Sequence, residues 1–167
     1  GALQNTTGGA QNTAIGSRAL SANTTADYNV AVGYRALLDN TTGSSNTAVG
    51  RDALTNNTTA GNNTAVGYSA MLSNTTGNAC VAVGNAALYA SNGAWNVAIG
   101  YAAMQANTTG IGNVAVGGNS LDANTTANYN TAIGYEALTA NTGGENTAVG
   151  ALALDANTSG VENSALG

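Results

Sequence analysis

The sequence predicts an all-β chain, a parallel β-roll or β-solenoid of about ten coils, each 16–17 residues long. Three observations carry that prediction. A unit recurs along the whole length with glycine at its fifth position in all ten copies: Gly16, Gly33, Gly50, Gly67, Gly84, Gly100, Gly117, Gly134, Gly150 and Gly167. A period this short cannot hold a helix pair, which takes more than about 30 residues. The apolar positions follow no 3.6-residue period, and glycine at position 5 and often at position 15 would interrupt any helix. Short runs of valine, isoleucine and threonine bounded by Asn, Thr and Gly clusters read instead as short strands between turns.

Counted from the Asn of Asn-Thr-Ala-Val-Gly, the coils start at Asn12, Asn29, Asn46, Asn63, Cys80, Asn96, Asn113, Asn130, Asn146 and Asn163. Position 3 is alanine throughout, beginning with Ala14, and position 4 is always branched, as in Ile15, Val32, Val49 and Val66. Position 8 is alanine except at Ser120, and position 9 is leucine or methionine, beginning with Leu20, Leu37 and Leu54. Asn-Thr-Thr-Gly or a close relative then closes the unit. Two strands per coil are expected, at positions 1–4 and 6–10. Glycine at position 5 would serve as a corner with φ > 0 or as a point of close backbone approach. Parallel stacking at about 4.8 Å per coil gives a rod on the order of 48 Å long. Stacked asparagines would exchange amide hydrogen bonds from coil to coil. The unit is already under way at Gly1 and stops at position 5, and neither end has a polar cap. Residues 1–167 are therefore expected to form one domain, an excerpt of a longer array.

Neighbouring residues in a strand point to opposite faces. The pairs Ala-Val at positions 3 and 4 and Ala-Leu at positions 8 and 9 would thus place small or apolar groups on both faces. One face can fill the thin interior. The other needs a partner, and the expected partner is the chain itself, as a homo-oligomer around an axis.

Composition removes several function classes. The net charge is −5 with three arginines and no lysine, so no basic stripe is available for nucleic acid. No apolar run approaches the roughly 20 residues of a membrane span, so no membrane insertion is expected. No signal peptide is visible. Without histidine or lysine the usual general bases are missing, and neither a Ser-His-Asp nor a Cys-His arrangement can form. The acids are scattered; Asp122 and Asp155 share position 10 but lie two coils apart, about 10 Å by stacking. No Ca²⁺-type loop or phosphate loop is present. The chain is expected not to be an enzyme and to use no cofactor or metal. Arg35 and Asp52 would stack as an exposed pair contributing about 0.5 kcal/mol. Cys80 takes a slot that is otherwise Asn and reads as a tolerated substitution.

Position 6 carries the surface signal. It is Tyr34, Tyr68, Tyr101 and Tyr135 in alternate coils, with Ser17, Arg51, Asn85, Gly118 and Ala151 in the coils before, between and after them. Exposed rings could grip a sugar or a receptor; the plainer reading is that each ring covers the gap beside a smaller neighbour. Tyr28, Trp95 and Tyr129 fall just before position 1 and carry the same two readings. Asn-Thr-Thr and Asn-Thr-Ser also spell glycosylation sequons at Asn5, Asn23, Asn40, Asn57, Asn74, Asn107, Asn124 and Asn157, although a structural Asn-Thr ladder creates these without any glycan.

The wording Asn-Thr-Ala-[Val/Ile]-Gly-Tyr-x-Ala-Leu-x-x-Asn-Thr-Thr-Gly is similar to the repeat arrays of phage tail fibres and bacterial surface proteins. Its Ala-[Ile/Val]-Gly core resembles the head repeats of trimeric autotransporter adhesins. The resemblance covers essentially the whole chain, although this unit is a few residues longer than the adhesin repeat. It implies a left-handed, homotrimeric β-roll and an extracellular, cell-surface or virion location. The implied role is a structural fibre shaft or head segment, a rigid spacer with receptor or glycan contact. A separate reading from the residues is an ice-binding solenoid, with stacked pairs such as Thr24-Thr25, Thr41-Thr42 and Thr58-Thr59. That ladder breaks at Ser91-Asn92-Gly93, where the coil is one residue short.

Overall fold

The computed structural model describes residues 1–167. Each repeat contributes one strand: β1 (Thr13–Ile15), β2 (Val30–Val32), β3 (Thr47–Val49), β4 (Thr64–Val66), β5 (Val81–Val83), β6 (Val97–Ile99), β7 (Val114–Val116), β8 (Thr131–Ile133), β9 (Thr147–Val149) and β10 (Ser164–Leu166). The strands pair in chain order as one parallel ten-stranded sheet. The register is constant: Thr13 faces Val30, Ala14 faces Ala31 and Ile15 faces Val32. The chain is a parallel β-solenoid, as the period predicts. Backbone hydrogen bonds tie neighbouring coils well beyond the strands. In the coil that starts at Asn29, Val30 donates to Asn46 at 2.8 Å, Leu37 to Ala53 at 3.0 Å, Thr41 to Thr58 at 2.9 Å and Ser45 to Asp27 at 3.0 Å.

Within each strand the central alanine points inward. Ala31, Ala48, Ala65, Ala82, Ala98, Ala115, Ala132 and Ala148 are fully buried. The flanking residues at positions 2 and 4 face outward and are half-exposed or exposed, with Ile15 at 61 % and Ile99 at 40 %. These alanines pack in one core cluster with the leucines and methionines of position 9.

The second strand expected at positions 6–10 does not form. These residues make turns, and positions 7 and 9 have positive φ: Arg18 61°, Arg35 57°, Leu20 51° and Leu37 51°. The reason is the Ala-Leu pair. A strand would send Ala36 and Leu37 to opposite faces, whereas both are fully buried. Left-handed backbone costs a leucine roughly 1–2 kcal/mol, and burying its side chain returns about 1.5–3 kcal/mol. Burial wins. The Ala-Leu pair consequently adds nothing to an outer apolar face, and positions 2 and 4 of the sheet carry that face alone.

Glycine at position 5 meets both conditions set for it. Its φ runs from 122° at Gly167 to 140° at Gly134, a region closed to other residues. A Cβ at Gly16 would also lie 2.6 Å from the Gly33 carbonyl oxygen.

Two buried asparagine ladders line the lumen. At position 1, the Asn46 N–H donates to Asn29 Oδ1 at 2.9 Å, and Asn46 Nδ2 donates to the Ala60 carbonyl at 2.9 Å. At position 12, Asn57 Nδ2 donates to Asn40 Oδ1 at 2.7 Å and to the Ala60 carbonyl at 3.0 Å. Asparagines such as Asn46 and Asn57 thus bind their own coil and a neighbouring one, which offsets the desolvation of their amides, whereas the buried Oδ1 of Asn23 in the first coil has no partner.

Candidate functional site

The position-6 row follows directly on the glycine corner, and that corner delivers the side chains to the surface. Tyr34, Tyr68, Tyr101 and Tyr135 are 44 %, 49 %, 65 % and 56 % exposed. Arg51 lies in the coil between Tyr34 and Tyr68, its guanidinium carbon 5.9 Å from one ring centroid and 5.6 Å from the other. Its Nε donates to Asp52 Oδ2 at 3.1 Å, and Arg35 Nη1 approaches Asp52 Oδ1 at 3.5 Å.

The expected Arg35–Asp52 pair therefore exists, but it is not an exposed ladder. Asp52 is buried and serves two arginines, and both of its charged partners reach it from the surface. Stacking logic finds Arg35; Arg51 is its sequence neighbour and was open to the same reading. The signal for it was an arginine at position 6 between two tyrosines.

Other rings lie against small neighbours. Cδ2 of Tyr135 sits 3.5 Å from the place a Cβ at Gly118 would occupy, and the Tyr129 ring lies over Gly112. The adjacent Glu136 pushes the pKa of the Tyr135 hydroxyl up. Tyr28, Trp95 and Tyr129 are exposed on the other flank of the strands.

Cys80 sits in the position-1 ladder. Its N–H donates to Asn63 Oδ1 at 2.9 Å and its thiol to the Gly93 carbonyl at 3.2 Å, so the donor duties of the missing asparagine are met. Burial pushes the thiol pKa up. The position-12 sequon asparagines Asn23, Asn40, Asn57, Asn74, Asn107 and Asn124 are fully buried, whereas Asn5 is exposed. The first threonine of several pairs is also occupied: Thr24 Oγ1 donates to the Thr41 carbonyl at 3.1 Å and Thr41 Oγ1 to the Thr58 carbonyl at 3.0 Å, whereas the buried Thr6 Oγ1 has no partner.

Concavities are few. One of about 240 Å³ lies against β9 and β10, lined by Thr147, Val149, Ser164, Ala165 and Leu166, none of them an acid or a base. Three or more His, Cys, Asp or Glu side chains meet nowhere in a geometry that could hold a metal ion. No helix is long and apolar enough to cross a membrane. No known protein family matches the chain, and no curated protein or solved structure matches it either.

Proposed function

We propose that this chain is a rigid, non-catalytic segment of a fibre on a cell or virion surface, a spacer that carries receptor- or glycan-contacting parts away from the particle. The supporting observation is a single sheet of ten strands in constant register, whose outer face is apolar at position 4 and mixed Thr/Val at position 2. Parallel sheets ordinarily have both faces covered. Here the lumen covers one face, and the strip of Val49, Val66, Val83, Ile99 and their equivalents lies open. Copies of the same chain cover it in our reading, three around one axis. Bending such a rod would break inter-coil hydrogen bonds on several sides at once, which suits a spacer. Tyr34, Tyr68, Tyr101 and Tyr135 are the residues this reading offers to a receptor or glycan.

Equilibrium sedimentation tests it. The expected mass is three chains for the native sequence and one chain for a Val66→Asp, Val83→Asp double variant with unchanged circular dichroism. A native monomer at micromolar concentration would remove the trimer.

A second reading, ice binding, draws on the stacked threonine pairs, whose second members Thr25, Thr42, Thr59 and Thr76 are exposed in successive coils. Thermal hysteresis lost on replacing these threonines by lysine would favour it. Hysteresis at buffer level would exclude it.

A further inference from the structure

The alternation of each strand continues past both of its ends. Asn96 and Ala98 are buried, so Trp95, Val97, Ile99 and Tyr101 form one outward-facing line of four side chains. Each coil from Asn12 to Asn146 has such a line, running from the residue before position 1 to position 6. Three lines carry an aromatic ring at both ends: Tyr28 with Tyr34, Trp95 with Tyr101, and Tyr129 with Tyr135. No coil has a ring before position 1 without a tyrosine at position 6. The line between the last two has glycine at both ends, Gly112 and Gly118.

Contact within the chain does not account for this matching. Six residues of extended chain reach about 20 Å, so the two rings of one line stand apart. Nor does local packing account for the rings before position 1. Tyr28, Trp95 and Tyr129 hold φ of 61°, 59° and 58°, a left-handed backbone that Asn62 and Gly112 occupy at the same slot with less strain. Leu20 takes that conformation and becomes fully buried, whereas these three rings remain 60 %, 64 % and 57 % exposed. The apolar cover that would offset their strain lies outside the chain.

We propose that these rings form a seam between copies of this chain, the ring before position 1 of one copy packing on the position-6 tyrosine of the next copy in the same coil. The inference rests on the three-chain reading above. Rotation about an axis parallel to the rod keeps every coil at its own height, so each coil meets its identical coil. The front end of one line then meets the far end of the next. Three lines of about 20 Å close a triangle whose sides lie about 6 Å from the axis, close to half the roughly 10 Å between packed sheets. Side chains of positions 2 and 4 fill the centre, and the rings meet at the corners, where aromatic pairs favour offset or edge-to-face contact. The matching along each line then has a cause: ring meets ring in three coils, and glycine meets glycine in one. Tyr68, whose line begins with Asn62, is the one position-6 tyrosine without a ring partner and is left to an outside ligand.

Trp95 is the chain's single tryptophan and reports on the seam directly. The test records its emission and acrylamide quenching on the whole array, beside the sedimentation mass. Tyr101→Ala should still sediment as three chains, held by the apolar strip, yet show red-shifted emission and a quenching constant several-fold above the native one. Tyr101 stands apart from Trp95 in its own chain, so that change reads the neighbouring copy. Tyr68→Ala, two coils away, should leave the emission and quenching of Trp95 unchanged. A native three-chain species whose Trp95 is as open to acrylamide as in Tyr101→Ala would overturn the seam and leave the trimer standing. Equal exposure of Trp95 by Tyr68→Ala would do the same. A native monomer would remove both.

Discussion

Asn96 stacks on Cys80 and so lacks the amide oxygen that accepts the N–H of every later position-1 asparagine. The thiol replaces the donor half of an asparagine and leaves the acceptor half to a weak sulfur. Cys80→Asn should complete the ladder and stabilise the array by about 1 kcal/mol, the net contribution of one buried hydrogen bond. Thermal unfolding checks this; an unchanged or lower midpoint would mean that the sulfur already serves as well.

The glycine corner should tolerate no side chain. A Cβ at Gly100 would lie 2.5 Å from the Gly117 carbonyl oxygen, on a backbone with φ of 139°. Strain of about 1–3 kcal/mol from the backbone alone, plus that clash, predicts a severe loss for Gly100→Ala. Gly118→Ala, one residue past a corner and with a Cβ that meets its neighbours only at ordinary contact distance, should fall within about 0.5 kcal/mol of the native chain. Urea unfolding of the two variants gives the comparison.

Asp122 supplies a pH dependence. Burial raises its carboxyl pKa above the ordinary value. A raised folded-state pKa favours the protonated form, so its contribution is present at pH below the unfolded value and is lost as pH rises through the folded value. Asp122→Asn should therefore flatten the melting temperature across the carboxylate range and raise it at neutral pH. A profile identical to the native one would assign no role to this group.

The buried sequons make a claim about glycosylation. Asn40 and Asn57 spend their amide nitrogens on carbonyls inside the lumen and have no exposed surface. Folded protein secreted from a glycosylating host should carry no glycan at these sites, while exposed Asn5 remains open to modification. Site-resolved mass spectrometry reads this out, and a folded rod with a glycan at Asn40 would contradict the lumen placement.

Much of this architecture is legible before any coordinates. The period predicts the parallel stack, and the strand at positions 2–4 follows from branched residues around an invariant alanine. Glycine at position 5 signals its own conformation. Positions 6–10 are not legible by the same rule. Alternation assumes extended backbone, and Leu20 and Leu37 abandon it to reach the lumen. The Asp52 cluster is half legible: the stacking partner Arg35 follows from register, but burial of the carboxylate depends on the turn that the strand reading missed. The Tyr row is legible as a row, and the Arg51 filling becomes visible only once the spacing along the rod is known.

The coil that begins at Cys80 lacks one residue, yet β5 and β6 still pair Val81 with Val97 in the common register. Asn92 Oδ1 accepts from the Thr75 N–H at 2.7 Å and the Thr76 N–H at 3.3 Å, where Thr41 uses the Thr58 backbone carbonyl. The second short coil also returns to phase, pairing Thr131 with Thr147. A deletion is thus absorbed within the turn where it occurs and is not transmitted to the coils beyond. An array with that property can gain, lose or exchange units at imprecise joints, so its length is free to vary in descent while its cross-section stays the same.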